Sequence, residues 1–239
     1  MKKNSNIEHM VFLDVETVPE VYLYTDLCDA KQELWNKKAM VSLRSIDSPE
    51  MAYEKAGIFA EFAKIICVSV GMISWQQKQR LLLIHSFYGH NEKKLLVEFC
   101  NFINRHQTKH ETLLCAHNGK EFDFPFLARR VLVNGLKLPE VLQLSNKKPW
   151  EIKHIDTLEL WKFGDYKHYT SLDLLAHIFK LKSPKKDLCG SLVSKTYWEE
   201  KNLTKIVHYC QSDVLTLVQL FHKINGLSLI DEKNICVTG

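Results

Sequence analysis

The chain has 239 residues, 46% of them hydrophobic and 25% charged, which is enough to bury a full core and slightly long for one average domain. That composition excludes a disordered chain, and a net charge of +4 permits a polyanionic partner without indicating one. Seven cysteines without a C-x-x-C pair argue against a disulfide frame or a zinc site, and for a reduced cytoplasmic protein whose thiols are buried. The polar start Met1–Asn6 cannot serve as a signal peptide, and no run approaches the roughly 20 apolar residues of a membrane helix.

In chain order, Met10–Leu13 is a short apolar run leading into Asp14-Val15-Glu16, a buried strand with acids at its end. Residues 19–62 are mixed and charged, with helical stretches around Asp29–Met40 and Pro49–Phe59, and read as an insertion into a single domain spanning 1–239. Ile65–Trp75 and Arg80–Phe87 form a hairpin. Asn91 caps a helix reaching about Arg105, and Thr112–Ala116 is a further buried strand. A helix runs from Asp123 to Val133 and stops before Asn134-Gly135. Lys153–Thr157 is read as another strand and Ser171–Phe179 as a helix, with Thr170 and Asp173 in a capping-box-like relation. The last long helix spans about Leu203 to Ile224. This order predicts an α/β fold, a mixed central sheet flanked by helices.

Three acidic elements carry chemistry. Asp14 and Glu16, two apart on a strand, point to one face, where two carboxylates repel unless a cation joins them. Taken alone, they read equally well as solvent-facing acids beyond the strand end. The second element is H-N-G-K-E-F-D-F-P-F, residues 117–126, with Asp123 near a helix start; a plain N-cap suits Asp123 there, and a turn residue suits Asn118. The third is Y-C-Q-S-D, residues 209–213. Its i, i+4 spacing puts Tyr209 and Asp213 on one helical face, continued by Leu217 and Leu220, which also fits a buried structural hydrogen bond.

In this order the three elements resemble the DEDD superfamily of 3′→5′ exonucleases. More narrowly, they resemble stand-alone bacterial proteins related to the proofreading domain of family-B DNA polymerases. Phe12–Thr17, His117–Phe126 and Tyr209–Asp213 match its motifs, with Ile155-Asp156-Thr157 and Ser171–Leu175 as weaker support. The resemblance implies an RNase H-like fold and hydrolysis of phosphodiesters from the 3′ end of single-stranded DNA. It implies two divalent cations, Mg²⁺ or Mn²⁺, held by Asp14, Glu16, Asp123 and Asp213, with Tyr209 orienting the attacking water. The superfamily carries either a tyrosine four residues before the last aspartate or a histidine five before it. This chain has both, and helical rotation separates His208 from Asp213 by about 140° but Tyr209 by only about 40°, which favours the tyrosine subclass.

Substrate contacts are expected from Asn118, Phe122 and Phe124, with core packing as the competing role for the rings; Phe126 is assigned to the core. Lys182–Lys186 (K-S-P-K-K) and Trp35 with its neighbouring lysines are further candidates. About 15 residues follow the last predicted helix, too few for a polymerase, so a polymerase or repair partner would be met in trans. An RNA-directed exonuclease and an inactive nucleic-acid-binding module of the same fold remain the alternatives.

Overall fold

The computed structural model describes residues 7–43, 48–76, 79–108, 111–165, 169–181 and 188–238. After a 3₁₀ turn, Met10–Pro19 forms strand β1, and residues Asp29–Ser42 and Pro49–Ala52 form helices α1 and α2, followed by a 3₁₀ turn at Tyr53–Ile58. Strands β2 (Ala63–Gln76) and β3 (Gln79–Tyr88) lead to α3 (Glu92–Gln107), β4 (Leu113–Ala116) and α4 (Asp123–Val133). Then come β5 (Ile155–Asp156), α5 (Thr157–Lys162), α6 (Leu172–Ile178), α7 (Val193–Trp198), α8 (Leu203–Ile224) and β6 (Ile235–Thr238).

The six strands make one mixed sheet in the order β5-β4-β1-β2-β3-β6. β1–β2 and β2–β3 pair antiparallel, whereas β4, β5 and β6 join in parallel. Because β1 lies inside the sheet, its side chains are buried on both faces. Val11, Leu13 and Val15 pack with Leu96 and Phe99 of α3 and with Phe126 and Leu127 of α4. Met10 and Phe12, on the opposite parity, pack with Val214, Leu217 and Phe221 of α8. Gly71 permits that approach: a Cβ there would lie 2.8 Å from Val214 Cγ1.

The central helices and the hairpin follow the sequence reading, and Asn91 caps α3 by accepting from Lys94 N–H. Several elements differ. The strand expected over Lys153–Thr157 is two residues long, because the Asp156 carboxylate accepts from Leu158 N–H and turns the chain into α5 at once. α6 is capped by Ser171, whose hydroxyl accepts from Leu174 N–H, not by Thr170. Helix α7 and strand β6 were not foreseen. Four cysteines are buried as expected, but Cys28, Cys189 and Cys236 are exposed.

The segment read as an insertion has a small core of its own, formed by Leu27, Trp35, Tyr53 and Phe62. Trp35 is fully buried, and its indole N–H donates to Pro49 O at 2.7 Å, so it is withdrawn as a substrate contact. The Lys182–Lys186 loop lies outside the described residues. Among the described residues, no helix is long and apolar enough to cross a membrane.

Candidate active site

The parity that sends Met10 and Phe12 toward α8 continues through Asp14 and Glu16. On the facing side of α8, Tyr209, Cys210 and Asp213 occupy one stripe, and their carboxyl, phenol and thiol groups meet the acids of β1. The β1–β2 register slips between Glu16 and Thr17, a bulge that raises the local twist where the carboxylates sit. Asp123, the first residue of α4, closes the group: it is 4% exposed and lines the same cavity as Asp14 and Glu16. The cap position belongs to Phe122 and carries no side-chain cap bond, so Asp123 is not a plain N-cap. All four acids and Tyr209 line one cavity of about 670 Å³, together with Asn118 and Phe122.

The electrostatics of this cluster are unfavourable without a counter-charge. Burial, and then the charges of Asp14, Asp213, Cys67 and Asp123, push the Glu16 carboxyl well above the usual carboxylate range. Burial, and then the charge of Asp14, do the same to Asp123. The Tyr209 hydroxyl is also held up, by burial first and then by Asp213, Glu16 and Asp14, so it is a neutral phenol that donates to Asp213.

Such a set of oxygens suits a hard divalent cation, whose charge would relieve the repulsion. Asp14, Glu16 and Cys210 bring ligand atoms within 4.8 Å of one another. The Cys210 thiol, however, is buried and held protonated, and it donates to the Asp14 carbonyl at 3.4 Å. The carboxylates are therefore the fitting ligands, and the thiol is a packing group.

The loop between β4 and α4 is shaped from below by Asp156. Its carboxylate, 3% exposed, accepts from Asn118 N–H at 2.9 Å, Lys120 N–H at 3.1 Å and Leu158 N–H at 2.9 Å. Those bonds hold Asn118 in the left-handed region at φ 61°, which asparagine tolerates better than most residues. Gly119 follows because nothing larger fits: a Cβ would sit 2.3 Å from Ala116 Cβ. His117, kept neutral by burial, donates from Nε2 to Thr170 O at 2.8 Å and accepts at Nδ1 from the Thr157 hydroxyl. Through this contact the neighbouring Tyr169 comes to the cavity mouth, 66% exposed and edge-on to the His117 ring at 6.3 Å.

The two candidate phenylalanines separate. Phe122 lines the cavity, whereas Phe124 is fully buried in the core against His154 and does not reach it. Alternation within the first helical turn turns one ring outward and the other in. His208 is exposed on α8, away from the acids. Tyr169, Lys55, Ser191 and Ser194 also line the cavity and were missed, since each arrives from a segment with no motif of its own.

The fold has a counterpart among solved structures. The family-B DNA polymerase of the hyperthermophilic archaeon Pyrobaculum calidifontis matches 90% of this chain with a TM-score of 0.56 and 14% identity. The matched part is 24% of the polymerase, so the chain spans about a quarter of that protein; the likeness shows a common fold, the RNase H-like arrangement of a polymerase exonuclease domain. No match was found among the curated proteins. A family model described as a predicted 3′-5′ exonuclease related to the exonuclease domain of PolB matches residues 58–230, a span that contains Asp123, Tyr209 and Asp213 and starts after Asp14 and Glu16. That match covers well over half of the chain, which therefore belongs to this family of predicted 3′-5′ exonucleases related to the exonuclease domain of PolB.

Proposed function

We propose that the chain, folded as one domain, removes nucleotides from the 3′ end of single-stranded DNA by a two-metal mechanism of the tyrosine subclass. The observation that carries this reading is the convergence of Asp14, Glu16, Asp123, Asp213 and Tyr209 on one cavity. Asp14 would hold both cations, Glu16 and Asp213 the one beside the attacking water, and Asp123 the one beside the leaving oxygen. Bound Mg²⁺ or Mn²⁺ supplies Lewis-acid stabilisation to the entering and departing oxygens of an in-line displacement.

The protein's own groups do the rest. Tyr209 spends its proton on Asp213 and so presents a lone pair to the attacking water, which fixes the direction of attack. Asn118 and Phe122 line the same cavity and would position the terminal nucleotide. The family's relation to a polymerase domain extends the reading to 3′ ends left by a polymerase or repair partner acting in trans.

A gel assay on 5′-labelled single-stranded DNA with Mn²⁺ tests this. Wild type should give a ladder shortening from the 3′ end, silenced by EDTA, and Asp14→Ala should give none while keeping its fold. Cleavage by Asp14→Ala, or cleavage that survives chelation, would sink the assignment. An RNA strand in parallel lanes should be shortened more slowly.

A further inference from the structure

The cavity has a wall that the acidic motifs do not supply. Glu54, Lys55, Gly57 and Ile58, from the turn that ends the insertion, line it beyond Thr17. This turn is fixed to the carboxylate strand: the Thr17 hydroxyl donates to Gly57 O at 2.7 Å, one residue after Glu16. Tyr53 OH donates to Val21 O at 3.3 Å, and Glu20 N–H to Phe62 O at 2.9 Å, so both ends of the insertion are tied down. The turn contacts β1 and β2, whereas Phe122 and Tyr169 belong to the β4 side; the two walls stand on either side of β1.

Charge gives the wall a task. Five carboxylates line the cavity, from Asp14, Glu16, Glu54, Asp123 and Asp213, and the substrate is itself a polyanion. Among the described residues lining it, Lys55 is the single lysine or arginine, and it is exposed. Ile58, which also lines the cavity, leaves 54% of its surface open to solvent, an apolar side chain close in sequence to Lys55.

We infer that the insertion is a substrate-binding wall in which the Lys55 ammonium binds a backbone phosphate upstream of the scissile bond and Ile58 packs against the adjoining nucleotide. The inference rests on the exonuclease reading above. It assigns the upstream strand to a path over the 53–58 turn, separate from the carboxylates that act on the terminal phosphate. A lysine suits this position, since a compact charge on a flexible stem follows a phosphate without demanding one geometry.

The test uses the Mn²⁺-loaded enzyme and two substrates. One is a 5′-labelled single-stranded oligodeoxynucleotide; the other is the p-nitrophenyl ester of thymidine 5′-monophosphate, which has no upstream phosphate. Lys55→Ala should lower kcat/KM about tenfold more on the oligonucleotide than on the ester, through KM. It should also flatten the slope of log KM against log salt by about 0.7, the loss of one single-strand phosphate contact. Lys55→Arg should restore the slope. An unchanged substrate ratio and an unchanged slope in Lys55→Ala overturn the inference. If wild type hydrolyses neither substrate, the exonuclease reading itself fails.

Discussion

Asp156→Ala should cripple the enzyme from outside its cavity. The carboxylate holds three backbone N–H groups, at 2.9, 3.1 and 2.9 Å, and two of them, half-buried, belong to the loop that carries Asn118 into the site. Losing the N-cap of α5 costs about 1 kcal/mol. Each of the two loop N–H groups, left without a charged acceptor, costs about 1.5 kcal/mol or more. The total is about 4 kcal/mol, which in a chain of this size lowers Tm by about 8–16 °C. Activity should fall more steeply than stability, because Asn118 loses the support for its left-handed backbone and Asp123 lies five residues on. Asp156→Asn keeps one acceptor oxygen, enough for Asn118 and Leu158 but not for Lys120, so it should recover roughly half of the loss in Tm. The measurements are a calorimetric melt and kcat on single-stranded DNA, both at a temperature where every variant is folded. An Asp156→Ala enzyme that melts within 2 °C of wild type with full kcat would refute the reasoning.

Two further outcomes bear on the site and its surroundings. Tyr209→Phe should lower kcat by about 10²-fold, in the range expected for loss of a group that positions or activates water, whereas His208→Ala should change it less than about twofold; the reverse order in steady-state kinetics would move the protein to the histidine subclass. His154, buried and held below the ordinary histidine range by burial, accepts from Leu114 N–H and donates to Val141 O. Its folded value lies below its unfolded one, so its contribution to stability is fully present above about pH 6.5 and is lost as pH falls through the folded value. Urea midpoints between pH 7.5 and 5.5 should accordingly fall more for wild type than for His154→Gln, and parallel lines would contradict this.

The elements legible in the sequence were those whose signal is local. The 3.6-residue periodicity of α8 placed its limits at Leu203 and Ile224, and the apolar runs of β1–β3 gave the hairpin and the central strand. The acids were legible because strand parity and i, i+4 spacing are covalent facts: Asp14 with Glu16, and Tyr209 with Asp213, share a face in any fold that makes the strand and the helix. Helix α7, six residues long, and β6, which exists by pairing with β3, carry no such local signal. Phe122 and Phe124 looked alike because nothing in a row of aromatic residues says which ring a helix start will bury.

What the sequence determined by itself was therefore two pairs in fixed relation, Asp14 with Glu16 and Tyr209 with Asp213, and the layered α/β class. Only the tertiary structure decided that the pairs meet, since Asp123 lines one cavity with Asp14 from more than 100 residues away, and Cys210 touches the Asp14 carbonyl from the last helix. It alone showed that Asp156 holds the second motif from beneath, and that the insertion presents Lys55 to the cavity while burying Trp35. The physical reason is common to these cases. Spacing along a chain fixes direction only within one element, and the contacts that orient a site run between elements, where burial and backbone hydrogen bonding choose which side chains face inward.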